Sequence, residues 1–143
     1  DAHELYRKLL RAKGDGDALL AHAPPYLDRL MLEKQDRRAL GVARESLDAS
    51  RDFTLHQPED GHRLALRARD SGQAQLAIDL WLAMIKRWPR DPVRVDWALG
   101  AADLLVQRDR LTLARQVLEY AAHGLDPEPA ARIQEALARL PAA

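Results

Sequence analysis

Three features of the chain predict an all-α fold. In residues 72–92, apolar or small side chains fall at Leu76, Ala77, Leu80, Trp81, Met84, Ile85 and Trp88, the spacing of one wide helix face. Runs of Val, Ile and Thr, which mark strands, are missing, and glycine reads as confined to turns. Apolar residues make up 47% of the 143-residue chain but aromatics only 5%, so the core is built mainly from Ala and Leu, which suits closely packed helices.

Residues 2–13 read as an amphipathic helix with Leu5, Tyr6, Leu9 and Leu10 on its apolar face. Gly14-Asp15-Gly16-Asp17 is a tight turn, with Asp17 as the expected N-cap. Residues 18–22 continue helically until Pro24-Pro25 interrupts, because the residue before a proline avoids the helical region. Pro25 then opens a fresh helix with Tyr26, Leu27, Leu30 and Met31 inward, and residues 33–36 turn. Residues 37–49 form the next helix, striped by Leu40, Ala43 and Leu47. The longest irregular link is 50–57, where Phe53 and Leu55 are expected to plug a gap between units.

Pro58-Glu59-Asp60 starts a helix with acids in its first turn, where the helix dipole favours them, and Ser71-Gly72 ends it. The helix through Trp81 follows. Pro89 stops it, and Pro92 is expected to open the next as its first residue. Gly124 ends the last of these helices, and Asp126-Pro127-Glu128 starts a final one to Leu140, with a narrow stripe of Ala130, Ile133, Leu137 and Leu140.

These segments echo one another. Leu76-Ala77-Ile78 with Leu80-Trp81 recurs as Leu113-Ala114 with Val117-Leu118, 37 residues on, and as Leu40-Gly41-Val42, 36 residues back. Pro58 and Pro92 stand 34 apart. The pattern resembles the tetratricopeptide repeat, a helical hairpin of 34 residues. In residues 58–91, Ala65 matches the small residue of the first helix and Gly72 the turn glycine. Ala77 matches the small residue opening the second helix, Trp81 its large aromatic, and Pro89 the exit proline. Ala68 and Met84 depart from the family's tyrosine and alanine. In residues 92–126 the first helix reads as about three residues longer, and Asp109 replaces the turn glycine.

The resemblance covers about residues 24–126. It implies a short right-handed α-solenoid of about three antiparallel helix hairpins in a single domain spanning 1–143. The units are 24–57, 58–91 and 92–126, preceded by N-terminal helices at 1–23 and followed by a capping helix at 127–140. In proteins of this family the first helix of each hairpin lines a concave groove that binds peptides or partner domains. Carried over, the groove residues are Tyr26, Leu30 and Glu33, then His62, Leu66 and Arg69, then Asp96, Gly100 and Asp103. The lysine and asparagine clamp that some members use for C-terminal carboxylates is absent at these positions.

Lys and Arg together equal Asp and Glu, 22 each, which argues against a protein held to nucleic acid or anionic lipid by its overall field. There is no cysteine, so no disulfide or thiol chemistry. No apolar run is long enough to span a bilayer. His56 and His62 flank Glu59 and Asp60 without the spacing of a metal site. The Gly14–Asp17 turn has neither phosphate-loop nor calcium-loop spacing. Ser46, Ser50 and Ser71 lack a nucleophile elbow. No catalytic residue, metal or cofactor is expected, and no enzyme. Arg63, Arg67, Arg69, Arg87, Arg90 and Arg94 lie near Trp88 and Trp97, but acids share the same segments.

The expected function is therefore a non-catalytic scaffold that binds a protein or peptide in its groove. Self-association into a homodimer is one alternative, and nucleic-acid binding through the arginines another, less favoured. The chain opens on Asp1 rather than Met, which fits a domain excised from a larger bacterial protein. Placement is expected in the cytoplasm, or as the soluble part of a membrane-anchored protein, with no membrane insertion by this segment.

Overall fold

Helix follows helix from Ala2 to Arg139, and one turn closes four of them. The computed structural model describes residues 1–141. It contains α1 (Ala2–Lys13), α2 (Gly16–Leu32), α3 (Asp36–Ala49), α4 (Pro58–Asp70), α5 (Ala74–Arg87), α6 (Arg94–Gln107), α7 (Leu111–Ala122) and α8 (Pro127–Arg139). No strand occurs among the described residues.

The recurring turn joins α1 to α2, α2 to α3, α4 to α5 and α6 to α7. In each, one residue adopts the left-handed conformation: Gly14, Lys34, Gly72 and Asp109, with φ of 69°, 57°, 80° and 58°. Its N–H bonds three residues back, to Arg11, Met31, Arg69 and Val106 in turn. The next residue's N–H reaches five back, to Leu10, Leu30, Ala68 and Leu105, at 2.8–3.0 Å. This is the Schellman closure, which satisfies carbonyls that a helix end leaves orphaned. The residue making the longer bond also serves as N-cap of the following helix: Asp15, Gln35, Gln73 and Arg110. Four residues later an N–H bonds back to that cap. In α3, α5 and α7 it belongs to Ala39, Ala77 and Ala114, each with no exposed surface. This register pairs Ala77 with Ala39, 38 residues back, rather than with Gly41 as the sequence pattern suggests.

Each helix packs on the next in the chain, and α3–α5 and α6–α8 also touch. Helices further apart in sequence share no substantial packing. The core is Ala, Leu, Ile and Val, with Phe53 and Leu55 of the 50–57 link buried in it. The α5 stripe is taken up almost entirely: Leu76, Ala77, Leu80, Trp81, Met84 and Ile85 are all buried, and Trp88 is half-buried. Pro58 stands in the first turn of α4 with Glu59 and Asp60, as expected.

Several local expectations fail for identifiable reasons. Pro24 and Pro25 lie inside one continuous α2. A proline's fixed φ fits a helix, and the burial of Ala23, Tyr26 and Leu27 outweighs the two lost backbone donors. The cap of α2 is Asp15, whose carboxylate accepts from the Ala18 N–H at 3.1 Å, not Asp17. Helix α6 starts at Arg94, two residues after Pro92, and is 14 residues long against 13 for α4, one more rather than three. Gly41, Gly61 and Gly100 lie within helices, not turns. At Gly61 a Cβ would lie 3.0 Å from Met84 Sδ, so the missing side chain on α4 makes room for the long one on α5.

The largest departure is α1. Of its expected inward face only Leu10 is buried, while Leu5, Tyr6 and Leu9 are 60%, 47% and 52% exposed. Its inward side chains are instead His3, Glu4, Arg7 and Leu10.

The left-handed turns yield a stability prediction. Lys34 and Asp109 carry a Cβ where only glycine is unstrained, a cost of about 1–2 kcal/mol partly offset by the backbone entropy of glycine. Lys34→Gly and Asp109→Gly should each raise unfolding free energy by about 0.5–1 kcal/mol in urea titration, and Gly72→Ala should lower it by about 1 kcal/mol.

Candidate interaction surface

The residues predicted to line a groove separate into two groups. Tyr26 and Leu30 are each 2% exposed and belong to the core, contrary to the expectation that they face a ligand. The Tyr26 hydroxyl donates to Glu4 Oε1 at 2.6 Å, and burial together with this bond pushes its pKa up to about 12. Glu33 is exposed at the end of α2, 3.5 Å from Arg29. Its neighbours line an open recess of about 610 Å³ with His3, His22, Asp28 and Leu32.

The second group sits on α4 and α6 around Trp81. This indole, from α5, is fully buried, and its Nε1–H donates to His62 Nδ1 on α4 at 3.0 Å. On its other side lies Gly100 of α6, where a Cβ would come within 2.8 Å of the ring. Gly100 is thus a packing residue, and the predicted groove contact is a seat for Trp81. The tryptophan can only donate, so His62 must accept at Nδ1 and carry its proton on Nε2. Burial lowers the His62 pKa, Arg69 lowers it further, and Asp96 opposes both. His62, Arg69 and Asp96 therefore form one electrostatic cluster across α4 and α6.

Arg69 is exposed, its Nε 3.0 Å from Asp70. Asp96 accepts from Arg132 of α8 at 2.9 Å, so the final helix is tied to this face. Leu66 and Leu99 are half-buried between the charges, and Asp103 is exposed, accepting from Gln107. The face presents alternating charge over a modest apolar floor.

Two buried arginines escaped sequence reasoning. Arg94, grouped there with an exposed basic patch, is 2% exposed. It donates to the carbonyls of Ile85, Ala121 and His123 at 2.8–3.0 Å, tying α6 to the ends of α5 and α7. Burial pushes its pKa down. The rest of that patch is dispersed: Arg63 donates to the Met31 carbonyl, Arg67 pairs with Asp36, and Arg87 lies over the Trp88 ring. Arg7 of α1 is 1% exposed and donates to Glu45 at 2.7 Å, to the Leu19 carbonyl at 3.0 Å and to His22 Nδ1 at 3.1 Å. Arg11 also pairs with Glu45. The Arg11 hydrogen bond, seconded by Arg7, holds the Glu45 pKa down to about 2. Because Arg7 occupies Nδ1 of His22, the His22 proton sits on Nε2 and is donated to His3 Nδ1 at 3.1 Å. Only the three-dimensional placement reveals these two arginines; their sequence neighbourhoods are ordinary.

A smaller apolar slot of about 190 Å³ lies between α5 and α7, lined by Leu82, Ile85, Leu113 and Val117 with Lys86, Gln116 and Tyr120. Among the described residues no group of three or more His, Cys, Asp or Glu could hold a metal ion, and no helix is long and apolar enough to cross a membrane. Comparison with protein-family models, with curated proteins and with solved structures gave no match.

Two predictions follow from the Trp81 seat. Trp81→Ala should cost about 3–5 kcal/mol in chemical denaturation, the range for deleting a buried aromatic. Gly100→Ala should also destabilise, and much less so when combined with Trp81→Leu, giving a non-additive double-mutant cycle. The lowered His62 pKa sets a pH dependence. The neutral ring is the form the fold needs, so its contribution is complete above the ordinary value of 6.5 and is lost as pH falls from there toward the folded value. His22, also lowered by burial and by Arg7, acts in the same direction. Stability should therefore decline as pH falls below about 6.5. His62→Asn, which keeps the acceptor but not the titration, should reduce that slope without abolishing it.

Proposed function

We propose that this chain is a non-catalytic interaction module, a short right-handed α-solenoid of about three hairpins similar to tetratricopeptide repeats. It holds a peptide or partner domain on the face made by α4 and α6. The observation that carries the reading is the Schellman turn repeated at Lys34, Gly72 and Asp109, with the same buried alanine following each. Packing confined to near neighbours in the chain is what a stack of such units requires. The units correspond to α2–α3, α4–α5 and α6–α7, and α8 serves as the cap, burying Ile133 and pairing Arg132 with Asp96.

The binding residues in this reading are His62, Leu66, Arg69, Asp96 and Asp103, with Glu33 at the edge. Gly100 supports the face from beneath by seating Trp81, whereas Tyr26 and Leu30 lie in the core and take no part in it. Its mixed charge suits a segment of both signs with small apolar anchors, not a uniformly acidic or basic one. With the arginines dispersed, nucleic-acid binding has less support than the sequence alone lends it. The partner class in this reading is protein, and the module is read as bacterial, placed in the cytoplasm or beside a membrane.

The test is an affinity measurement on a partner recovered with the domain. Arg69→Glu and Leu66→Ala should each weaken binding by tenfold or more, about 1.4 kcal/mol, while melting temperature stays within a few degrees. A partner indifferent to both changes removes this face from consideration.

A further inference from the structure

We propose that α1 joins two copies of this chain as an antiparallel helix pair about a two-fold axis. The observation is an amphipathic helix turned the wrong way round. The core side of α1 is polar, with Arg7 and Glu4 engaged with Glu45 and Tyr26, while its apolar side faces solvent. Ala2, Leu5, Tyr6, Leu9 and Ala12 are all exposed, and Leu5, Tyr6 and Leu9 are three of the six large exposed apolar residues among those described. Such a contiguous patch marks an interface.

The spacing specifies the occupant. Residues 2, 5, 9 and 12 occupy the a and d positions of a heptad, the seam of a helix pair. They are also arranged symmetrically about position 7: Ala, Leu, Leu, Ala. In an antiparallel pair centred there, Leu5 of one copy meets Leu9 of the other, and Ala2 meets Ala12. Small residues at both ends let the helices approach closely while the leucines fill the middle. Tyr6 of the two copies lies side by side near the dyad along one edge. Charge agrees with this direction. Glu4 and Arg11 are held on the core side by Tyr26 and Glu45, and of the remaining end charges Asp1 of one copy lies level with Lys13 of the other. The two helix dipoles also oppose favourably. The one like-charge approach is Lys8 with its counterpart, near the dyad on the opposite, solvent-exposed edge. A pair of 12-residue helices, about 18 Å long, gives an interface at the small end of the size classes, so the dimer is weak and concentration-dependent. The α4–α6 face plays no part in it, and the two readings stand or fall separately.

Sedimentation equilibrium reads this directly. Apparent mass should rise from 16.1 kDa toward twice that between about 10 µM and 1 mM, and Leu9→Glu should hold it at 16.1 kDa with an unchanged circular dichroism spectrum. Because the chain has no cysteine, register can be read by single substitutions. Ala2→Cys and Ala12→Cys proteins, mixed and oxidised, should form a mixed disulfide dimer. Each alone should cross-link poorly, since like positions lie about 15 Å apart, beyond disulfide reach. Tyr6→Cys alone should cross-link readily. A mass fixed at 16.1 kDa to 1 mM overturns the proposal, as do like-with-like disulfides at residues 2 and 12. So does a monomer that co-sediments with anionic phospholipid vesicles and loses this with Leu9→Glu, which would assign the same patch to a lipid surface.

Discussion

The fold depends on where one indole ring is held. Trp81 is one of two fully buried tryptophans in a core made mainly of small and aliphatic side chains, and it contacts both neighbours of its own helix. His62 satisfies its only polar atom, and Gly100 gives up a side chain so that the ring can lie flush against α6. A buried indole N–H without an acceptor costs about 1–3 kcal/mol. That contrast is visible within this chain, since the Nε1 of Trp97 is buried and has no partner. The second tryptophan contributes packing, edge-on to Trp88 at 6.1 Å, but does not tie helices together by a hydrogen bond. The spacing between α4, α5 and α6 is therefore set by one residue and by two others that are small or polar for its sake.

Much of this was legible from periodicity. The stripe on α5 read correctly because a helix packed on two sides repeats its apolar positions without ambiguity, and Asp109 was recognisable as a turn residue from its place alone. Glu59 and Asp60 marked the start of α4 for the same electrostatic reason that operates in any helix. Three of the failures have a common cause. Each required knowing what lies opposite a residue. Gly100 looked like an open groove position because nothing in the sequence says that Trp81 approaches it. Tyr26 and Leu30 looked available because their helix was placed in a groove wall, whereas the packing of α2 turns both inward. Pro24 and Pro25 looked like a break because the local rule omits the tertiary contacts that keep α2 whole.

The two ends of the chain are built on different physics. Toward the C-terminus, Arg94 is buried without a carboxylate partner, its charge shared among three carbonyls, two of them at the end of α7 where the helix dipole is negative. Toward the N-terminus, Arg7, Arg11 and Glu45 make an ionic junction between α1 and α3, extended by a chain of histidines to the surface. Removing one member of a buried polar contact leaves the other unsatisfied, so Arg7 and Arg94 should both tolerate substitution poorly. The polar junction also explains the inverted α1: its charged side is committed to Glu45 and Tyr26, which leaves the leucines outward.

Confinement of packing to near neighbours has a kinetic meaning. Contacts close in sequence close short loops, and chains dominated by them reach the native state rapidly. The same arrangement spreads resistance to opening unevenly. Amide exchange should be slowest around α4–α6 and fastest at α1 and α8, where each terminal helix leans on few others. A chain organised in this way can fray at one extremity while the far half remains intact.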